Sequence, residues 1–481
     1  MDKLIKTKIV ATLGPASNSE ERMAELIKAG VRIFRVNTSH GTPEFHKGNI
    51  ELVRKVSKDL NIFVSILLDL QGPKIRVGNL KAQMDLVNGE KYTIKPMLET
   101  DEPNVIPVDY AGIANDVQPG DKVLLNDGKI GLKALAVRPG EVDVEVIYGG
   151  PLTSRKGLNI PGTTASLSAV TERDVTFIKF GVENNVDYIA LSFVRTRDDI
   201  ILAKKYINDF GGEIPIIAKI EKPQAVENLN SIIAASEGVM VARGDLGIEI
   251  SPEKVPLVQK RIIDEANAQR RAVITATQML ESMIESPIPT RAEASDVANA
   301  ILDGSDAVML SAETAVGAYP VEAVSMMSMI AENIESSTAY KSNQYADKAR
   351  EIYELDSQAI ATSVIRMVNE VEVNAIVAFT RSGYTGRLLS KAKPSVPIFA
   401  ITDREEVCRR LALFWDVYPF CIEYEKNFTE DLLKKLDDML IDQKLLNPGD
   451  KIIITGGLPE MAVGRTNFIR LHQVGSTRTN A

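Results

Sequence analysis

Cysteine and histidine are scarce in these 481 residues: two cysteines, Cys408 and Cys421, and three histidines, His40, His46 and His472. Neither type shows metal-ligand spacing. A disulfide framework and a histidine-rich zinc site are therefore excluded, and a reducing cytoplasm is the expected location. Long apolar runs are missing too, since nothing approaches the about 18 residues needed to span a bilayer. The apolar run after Lys3, Lys6 and Lys8 is stopped by Gly14-Pro15 too soon for a signal peptide.

Positive charge is in deficit. A net charge of -9 argues against nucleic acid and anionic membranes as partners, so an anionic substrate must meet a local basic cluster. Glycine-based phosphate cradles are also absent. There is no G-x-x-x-x-G-K-[ST], and no two glycines are spaced two apart, which removes the dinucleotide fingerprint. A nucleotide phosphate, if handled, is handled by metal and side-chain cations.

What is present is a repeated strand-helix texture. KIVATLGP, a helix from Ser19 to Ala29, VRIFRVNTSHG, a helix from Pro43 to Lys58 and FVSILLDLQG form the opening series, with Ser17-Asn18-Ser19 placed to cap the first helix and Ala29-Gly30 to stop it. From Pro73 to Ser166 the helical periodicity vanishes. Short alternating runs such as DKVLLNDG and EVDVEVIYGG take over, punctuated by Asn88-Gly89, Pro119-Gly120 and Pro139-Gly140. The strand-helix series then resumes: helix Glu172 to Asn184 and DYIALSFVR, helix Asp198 to Phe210 and PIIAKIE, helix Ala225 to Ser236 and GVMVARGDLG. Helix Val255 to Arg270 with AVITATQML and helix Ala292 to Asp303 with AVMLSAET complete it. Three strands before the insert and five after it predict a (β/α)8 barrel, a TIM barrel, over residues 1–72 and 167–340, at close to the ~250 residues typical of that fold. Residues 73–166 are expected to be a small inserted β-barrel lid. Residues 341–481, with NAIVAFT, VPIFAIT, WDVYPFCI, DKIIITGG and a helix from Thr429 to Leu446, predict an open α/β domain.

Charges stand where buried strands should not carry them. PIIAKIE places Lys219 and Glu221 two apart, hence on one face, and GVMVARGDLG brings Asp245 to the end of the next strand. A cation beside two carboxylates at adjacent strand mouths suits a divalent metal next to a phosphate or an enolate; a structural ion pair is the simpler alternative. On strand two, Arg35, Asn37 and Ser39 share a face, offering a guanidinium, an amide and a hydroxyl to an anion or a cation. Strand three ends at Asp69, with Lys74 and Arg76 following where the insert departs. Active sites of such barrels are built at the C-terminal strand ends.

Seven strings, TKIVATLGPAS, FRVNTSHG, LLDLQGPKIR, AKIE, VARGDLG, ATQMLESM and DGSDAVMLSAETAVGAYP, in this order over nearly the whole chain, resemble the pyruvate kinase family. The resemblance implies phosphoryl transfer from phosphoenolpyruvate to ADP, giving pyruvate and ATP, by a cytoplasmic homotetramer. It implies that Glu221 and Asp245 hold Mg2+ or Mn2+, that Lys219 and Arg35 bind the phosphoryl group, and that Thr277 with the backbone at Gly244 and Asp245 binds the substrate carboxylate and assists a proton relay. Asn37, His40, Arg76 and Lys179 match positions near the ADP phosphates, and Asp127 is a contact for closing the lid.

Members that need potassium carry threonine, lysine and glutamate where this chain has Leu70, Gln71 and Lys74. Asn37, Ser39 and Asp69 remain of that site, and the positive charge of Lys74 stands in for the ion, so potassium is not expected to be required. FTRSGYTGR, with Thr380, Arg381, Ser382, Gly383 and Thr385, reads as an anion-binding loop and resembles the family's site for a phosphorylated effector, a sugar phosphate or AMP. An extra swivelling domain found in one bacterial branch is not expected after Ala481. A metal-dependent aldolase or lyase working through a pyruvate enolate, and a non-catalytic metabolite-binding relative, are the competing readings. The first would not need Lys219, Arg35 and a lid together; the second would have lost a catalytic position.

Overall fold

The computed structural model describes residues 5–162, 167–337, 355–423, 429–457 and 466–477. Eight parallel strands close into a barrel: β1 (Lys8–Thr12), β2 (Val31–Asn37), β3 (Ser65–Asp69), β4 (Tyr188–Leu191), β5 (Ile216–Ile220), β6 (Gly238–Ala242), β7 (Ala272–Ala276) and β8 (Ala307–Leu310). Each pairs with its sequence neighbour and β8 returns to β1 through Lys8↔Ala307, so the chain winds once around.

Period-two alternation explains why these strands are apolar on both faces. Ile9 and Ala11 point outward into the layer between strands and helices, whereas Val10 joins Ile33, Leu67, Ile217, Met240 and Ile274 inside the barrel. Each such burial contributes about 1.5–3 kcal/mol relative to exposure. The same alternation carries Arg35 and Lys219 inward at the wet end of strands whose dry end fills the interior. Helix starts are fixed by local chemistry: Ser19, Thr42, Thr171 and Thr290 cap helices Glu20–Ala29, Pro43–Asp59, Glu172–Glu183 and Arg291–Leu302.

The helix expected as one piece from Ala225 to Ser236 is two short ones, Pro223–Glu227 and Leu229–Ala235. Asn228 breaks it, its backbone turned to φ -92°, ψ 15° and its amide donating to the Arg195 carbonyl at 3.1 Å. A polar side chain that bonds elsewhere competes with the helical ladder.

Between β3 and β4 lies a separate core of 21 buried apolar residues, among them Val123, Leu132 and Val144. Its main sheet runs Leu158–Asn159, Lys122–Leu125, Ile130–Arg138, Glu141–Tyr148, Lys91–Pro96, Val105–Val108. Residues 75–78 join its two terminal strands, through the bridges Arg76↔Gly157 and Val77↔Val108 with the Leu158 N–H donating to the Ile75 carbonyl at 2.9 Å and the Gly78 N–H to the Pro107 carbonyl at 2.8 Å, so the sheet closes into the small β-barrel expected, with two two-stranded sheets beside it. A four-residue helix, Ile113–Asp116, interrupts the expected all-β run.

The C-terminal sheet orders Val417–Cys421, Ile398–Thr402, Ala375–Phe379, Lys451–Gly456 and Phe468–Gln473, the last antiparallel to its neighbour. That fifth strand was not foreseen, its sequence having one exposed polar edge and little apolar signal. This unit packs under the N-terminal end of the barrel. Arg409 pairs with Asp187 at 2.9 Å, Lys391 with Asp306 at 2.6 Å, and the Tyr188 hydroxyl donates to the Arg410 carbonyl at 2.7 Å. The opposite, C-terminal mouth is thereby left to the insert. The expected boundaries at 166 and 340 lie outside the described residues.

Candidate active site

Lys219 sits on β5 with 8% of its surface exposed, and its ammonium meets three partners from three strand ends. It lies 2.9 Å from Glu221 Oε1 and 3.3 Å from Asp69 Oδ1, and donates to Ser192 Oγ at 2.7 Å. Ser192 is fixed in turn by donating to the Leu70 carbonyl at 2.7 Å. Arg35, from β2, holds the other Asp69 oxygen at 2.6 Å and reaches the Thr12 hydroxyl at 3.2 Å. Two cations therefore share one carboxylate.

Burial opposes the charge on Lys219, but Asp69 and Glu221 outweigh it and raise the pKa well above the ordinary lysine value. The group is an ammonium at any physiological pH. Burial likewise opposes the charge on Asp69, which Lys219 and Arg35 nonetheless hold below the usual carboxylate range. Glu221 goes the other way. Burial, with the negative charge of Asp245 nearby, pushes it up against the pull of Lys219.

Glu221 Oε2 accepts the Phe193 N–H at 2.8 Å, whereas Oε1 is buried without an aligned hydrogen bond among the described residues and faces the Lys219 ammonium at 2.9 Å. A buried carboxylate oxygen in that state, facing a second carboxylate, fits a bound cation, and a hard oxygen donor set suits Mg2+ or Mn2+. Asp245 stands half-buried in the first turn of helix Arg243–Ile250, which follows β6 without a loop.

Beside it the Gly244 N–H donates to Thr277 Oγ1 at 2.8 Å. Thr277 and Gln278 adopt φ of 67° and 55°, a left-handed pair that is costly for non-glycine residues and above all for a β-branched one. Arg243 holds this turn. Its guanidinium donates to the Thr277 carbonyl at 2.7 Å and the Gln278 carbonyl at 2.9 Å, and pairs with Asp296 at 2.6 Å. Arg243, Ser192 and Thr12 were not singled out from the sequence. For Arg243 the signal was there, an arginine directly after an apolar strand, and the structure buries it.

The other expected residues are more dispersed. Asn37, at the end of β2, accepts the Ser39 N–H at 3.1 Å. His40 is exposed, its carbonyl bonded to His46 Nε2 at 2.8 Å. Arg76 belongs to the hinge of the insert: its backbone bridges Gly157 and its guanidinium donates to the Arg155 carbonyl at 3.2 Å. Lys74 reaches Asp127 of the insert at 3.8 Å, so its ion-pair partner among the described residues is that carboxylate and not Asp69. Lys179 lies on the exposed side of helix Glu172–Glu183, paired with Glu183 one turn on at 3.8 Å, apart from the cluster at the mouth. Thr380 is buried beneath the 380–385 loop, Gly383 takes φ 83° before helix Tyr384–Lys391, and the Thr385 and Thr466 hydroxyls meet at 2.9 Å.

Two family models match the chain: the pyruvate kinase barrel domain over residues 4–324 and the pyruvate kinase alpha/beta domain over residues 358–472. Among curated relatives, proteins named pyruvate kinase from Staphylococcus aureus strains MRSA252, USA300 and NCTC 8325 are each 43% identical over 478 residues. Each of these alignments covers 99% of this chain and 81% of the relative.

Proposed function

The chain belongs to the pyruvate kinase family, and from that premise we propose that its barrel mouth transfers the phosphoryl group of phosphoenolpyruvate to ADP, giving pyruvate and ATP. The observation that carries the reading is Lys219, a buried ammonium held by Asp69 and Glu221 at the C-terminal strand ends. Phosphoryl transfer needs positioning and charge neutralisation more than covalent chemistry. Lys219 and Arg35 supply positive charge to the phosphoryl oxygens as the bond to the enol oxygen breaks and the bond to the ADP oxygen forms.

Glu221 and Asp245 would hold the divalent metal, Mg2+ or Mn2+. When bound, it supplies Lewis-acid neutralisation of charge on the substrate oxygens. Thr277, held in its left-handed turn by Arg243, presents its hydroxyl beside the Gly244 N–H, where the substrate carboxylate is bound and the proton delivered to C3 of the enol is steered. Asn37, His40, Arg76 and Lys179 are assigned to the ADP phosphates by their match to the family. For Lys179 this requires movement, given its present place on an outer helix.

Residues 1–72 and 167–340 form the catalytic barrel in this reading, 73–166 a lid that closes over the mouth with Asp127 as a contact, and 341–481 a regulatory domain. The loop carrying Thr380, Arg381, Ser382, Gly383 and Thr385 takes the phosphate of an effector, a sugar phosphate or AMP. The assembly is the family's homotetramer, the location is cytoplasmic, and potassium is not required. No helix among the described residues is long and apolar enough to cross a membrane.

Pyruvate formation followed through lactate dehydrogenase, with ADP supplied and then omitted, tests the reaction. Turnover with ADP alone is expected; pyruvate release without ADP would reassign the barrel to lyase chemistry.

A further inference from the structure

Helix Arg243–Ile250 carries Asp245 in its first turn, and Glu249 follows four residues later, hence on the same face one turn on. Unlike the half-buried Asp245, Glu249 is only 6% exposed. A carboxylate buried this far requires partners that compensate its lost hydration.

Its Oε1 holds two groups that belong to different bodies. It accepts the Lys222 ammonium at 2.6 Å and the Asn159 side-chain amide at 3.1 Å, whereas Oε2 is buried without a hydrogen bond among the described residues. Lys222 directly follows Glu221 in the chain and lies 5.6 Å over the Phe193 ring; the Phe193 N–H is the donor to Glu221 Oε2 at 2.8 Å. Asn159, buried too, ends the last strand of the insert, Leu158–Asn159, where it pairs with Leu124. The insert approaches the same helix a second time, since a methyl group at Gly128, beside Asp127, would stand 3.8 Å from Ile248 Cγ1. Glu249 therefore touches the insert on one side. On the other it reaches both metal-site carboxylates, Asp245 through their shared helix and Glu221 through Lys222 and Phe193.

Such an ion pair is a poor source of stability. Desolvation of the two charges offsets most of their attraction, and an apolar pair of equal volume commonly does as well or better. What the arrangement supplies is direction, because charge-assisted bonds to one oxygen fix the helix, the insert and Lys222 relative to one another. A cavity of about 40 Å³ alongside, lined in part by Pro73, Asn159, Phe193 and Lys222, leaves the hinge room to move while that point is held.

We propose that Glu249 is a positioning residue that couples the insert to the metal site, holding Asn159 and Lys222 on one oxygen so that the return strand of the insert sets the placement of Asp245 and Glu221. The inference rests on the metal-binding role given above to those two carboxylates. Coupling of this kind is reciprocal. Metal at the mouth tightens the insert against the barrel, and an insert released from Glu249 weakens the metal.

Titration of the full chain with Mn2+ in the absence of substrates, with the free ion followed by EPR, tests this without reference to turnover. Hydrogen exchange of the insert strands Lys122–Leu125 and Glu141–Tyr148, with and without Mn2+, reads the other direction of the coupling. In the wild type Mn2+ should slow exchange in these strands, which carry none of the proposed ligands. Asn159→Ala removes the bond from the insert and leaves the Lys222–Glu249 pair, whereas Asn159→Asp keeps the shape and sets two carboxylates against each other. Both variants, and Glu249→Gln, should weaken Mn2+ about fivefold or more and abolish the slowing. The Asn159 variants carry the test if Glu249→Gln does not fold. Glu221→Gln, which should lose Mn2+ outright, checks the premise. If it does so while the Asn159 and Glu249 variants keep wild-type affinity and wild-type slowing, with only a lower Tm, Glu249 is merely structural and the inference is overturned. Wild-type Mn2+ binding in Glu221→Gln would remove the metal site itself, and the inference with it.

Discussion

Lys219 and Glu221, two residues apart on one strand, meet at 2.9 Å inside the barrel mouth, yet the contact leaves Glu221 Oε1 without an aligned hydrogen bond. The pair is thus electrostatically coupled and geometrically open, which suits residues that each have a further partner to take. Lys219→Met removes the charge and keeps most of the volume. Phosphoryl transfer to ADP should fall by about 10²–10³ or more, the loss expected for a strong electrostatic stabiliser. Exchange of the C3 protons of pyruvate with solvent, measured by NMR with metal present, should survive. Parallel loss of both activities would mean that Lys219 is not confined to the phosphoryl group.

The opposite shifts of Asp69 and Glu221 give the metal a signature in stability. Asp69, with its lowered pKa, stabilises the fold above the pKa it has in the unfolded chain, and this is lost as pH falls through the lowered value. Glu221, with its raised pKa, costs stability once pH passes its unfolded value, and the cost is complete above the raised one. A divalent cation on Glu221 and Asp245 removes that cost. Mg2+ or Mn2+ at 100 times its Kd should stabilise the protein by about 2.7 kcal/mol, read as a rise in Tm at neutral pH that shrinks as acid protonates Glu221. Glu221→Gln should abolish the rise. An unchanged metal response in that variant would remove Glu221 from the site.

Arg243 makes a prediction that the reaction assignment does not. Arg243→Lys keeps the charge but cannot span two carbonyls and Asp296 at once. With the strained Thr277 turn no longer held, kcat should drop by about 10²-fold, the scale of a small misplacement of a reacting group. The pH profile should keep its shape, because no titrating group is lost, and circular dichroism should show a folded protein. A wild-type kcat would leave Arg243 with a purely structural role.

Much of this was legible because apolar strands that end in charge are rare. Lys219 and Glu221 announced themselves by burial they should not tolerate, Asp245 by following the next apolar strand so closely, and the inward direction of Arg35 followed from alternation alone. The missing pieces have physical reasons. Asn228 divides a helix through a side-chain bond to Arg195, a partner more than 30 residues away that no local pattern reveals. The strain at Thr277 is a backbone property with no signature in its residue type. Phe468–Gln473 is an edge strand whose apolar face is too thin for periodicity to detect, although Ile452↔His472 pairing places it plainly. The bonds of Ser192 depend on three strands arriving together.

Potassium is where sequence and geometry pull furthest apart. The motif argument replaces the ion by Lys74, but Lys74 reaches toward Asp127 at 3.8 Å, while Asp69 is already served by Arg35 and Lys219. Independence from potassium then has two physical routes. Either Lys74 swings to the site when the lid closes, or Arg35 and Lys219 meet the charge requirement without it. Equal rates in sodium and potassium buffers are expected in both cases, and a large activation by potassium would refute both. Lys74→Glu separates them. If Lys74 replaces the ion, this variant should lose most activity in sodium and regain it in potassium, since a carboxylate there removes the substitute charge and restores the residue type expected in potassium-dependent members. If the two buried cations suffice, it should only turn the attraction to Asp127 into repulsion, leaving kcat equal in the two salts and affecting substrate affinity through lid closure.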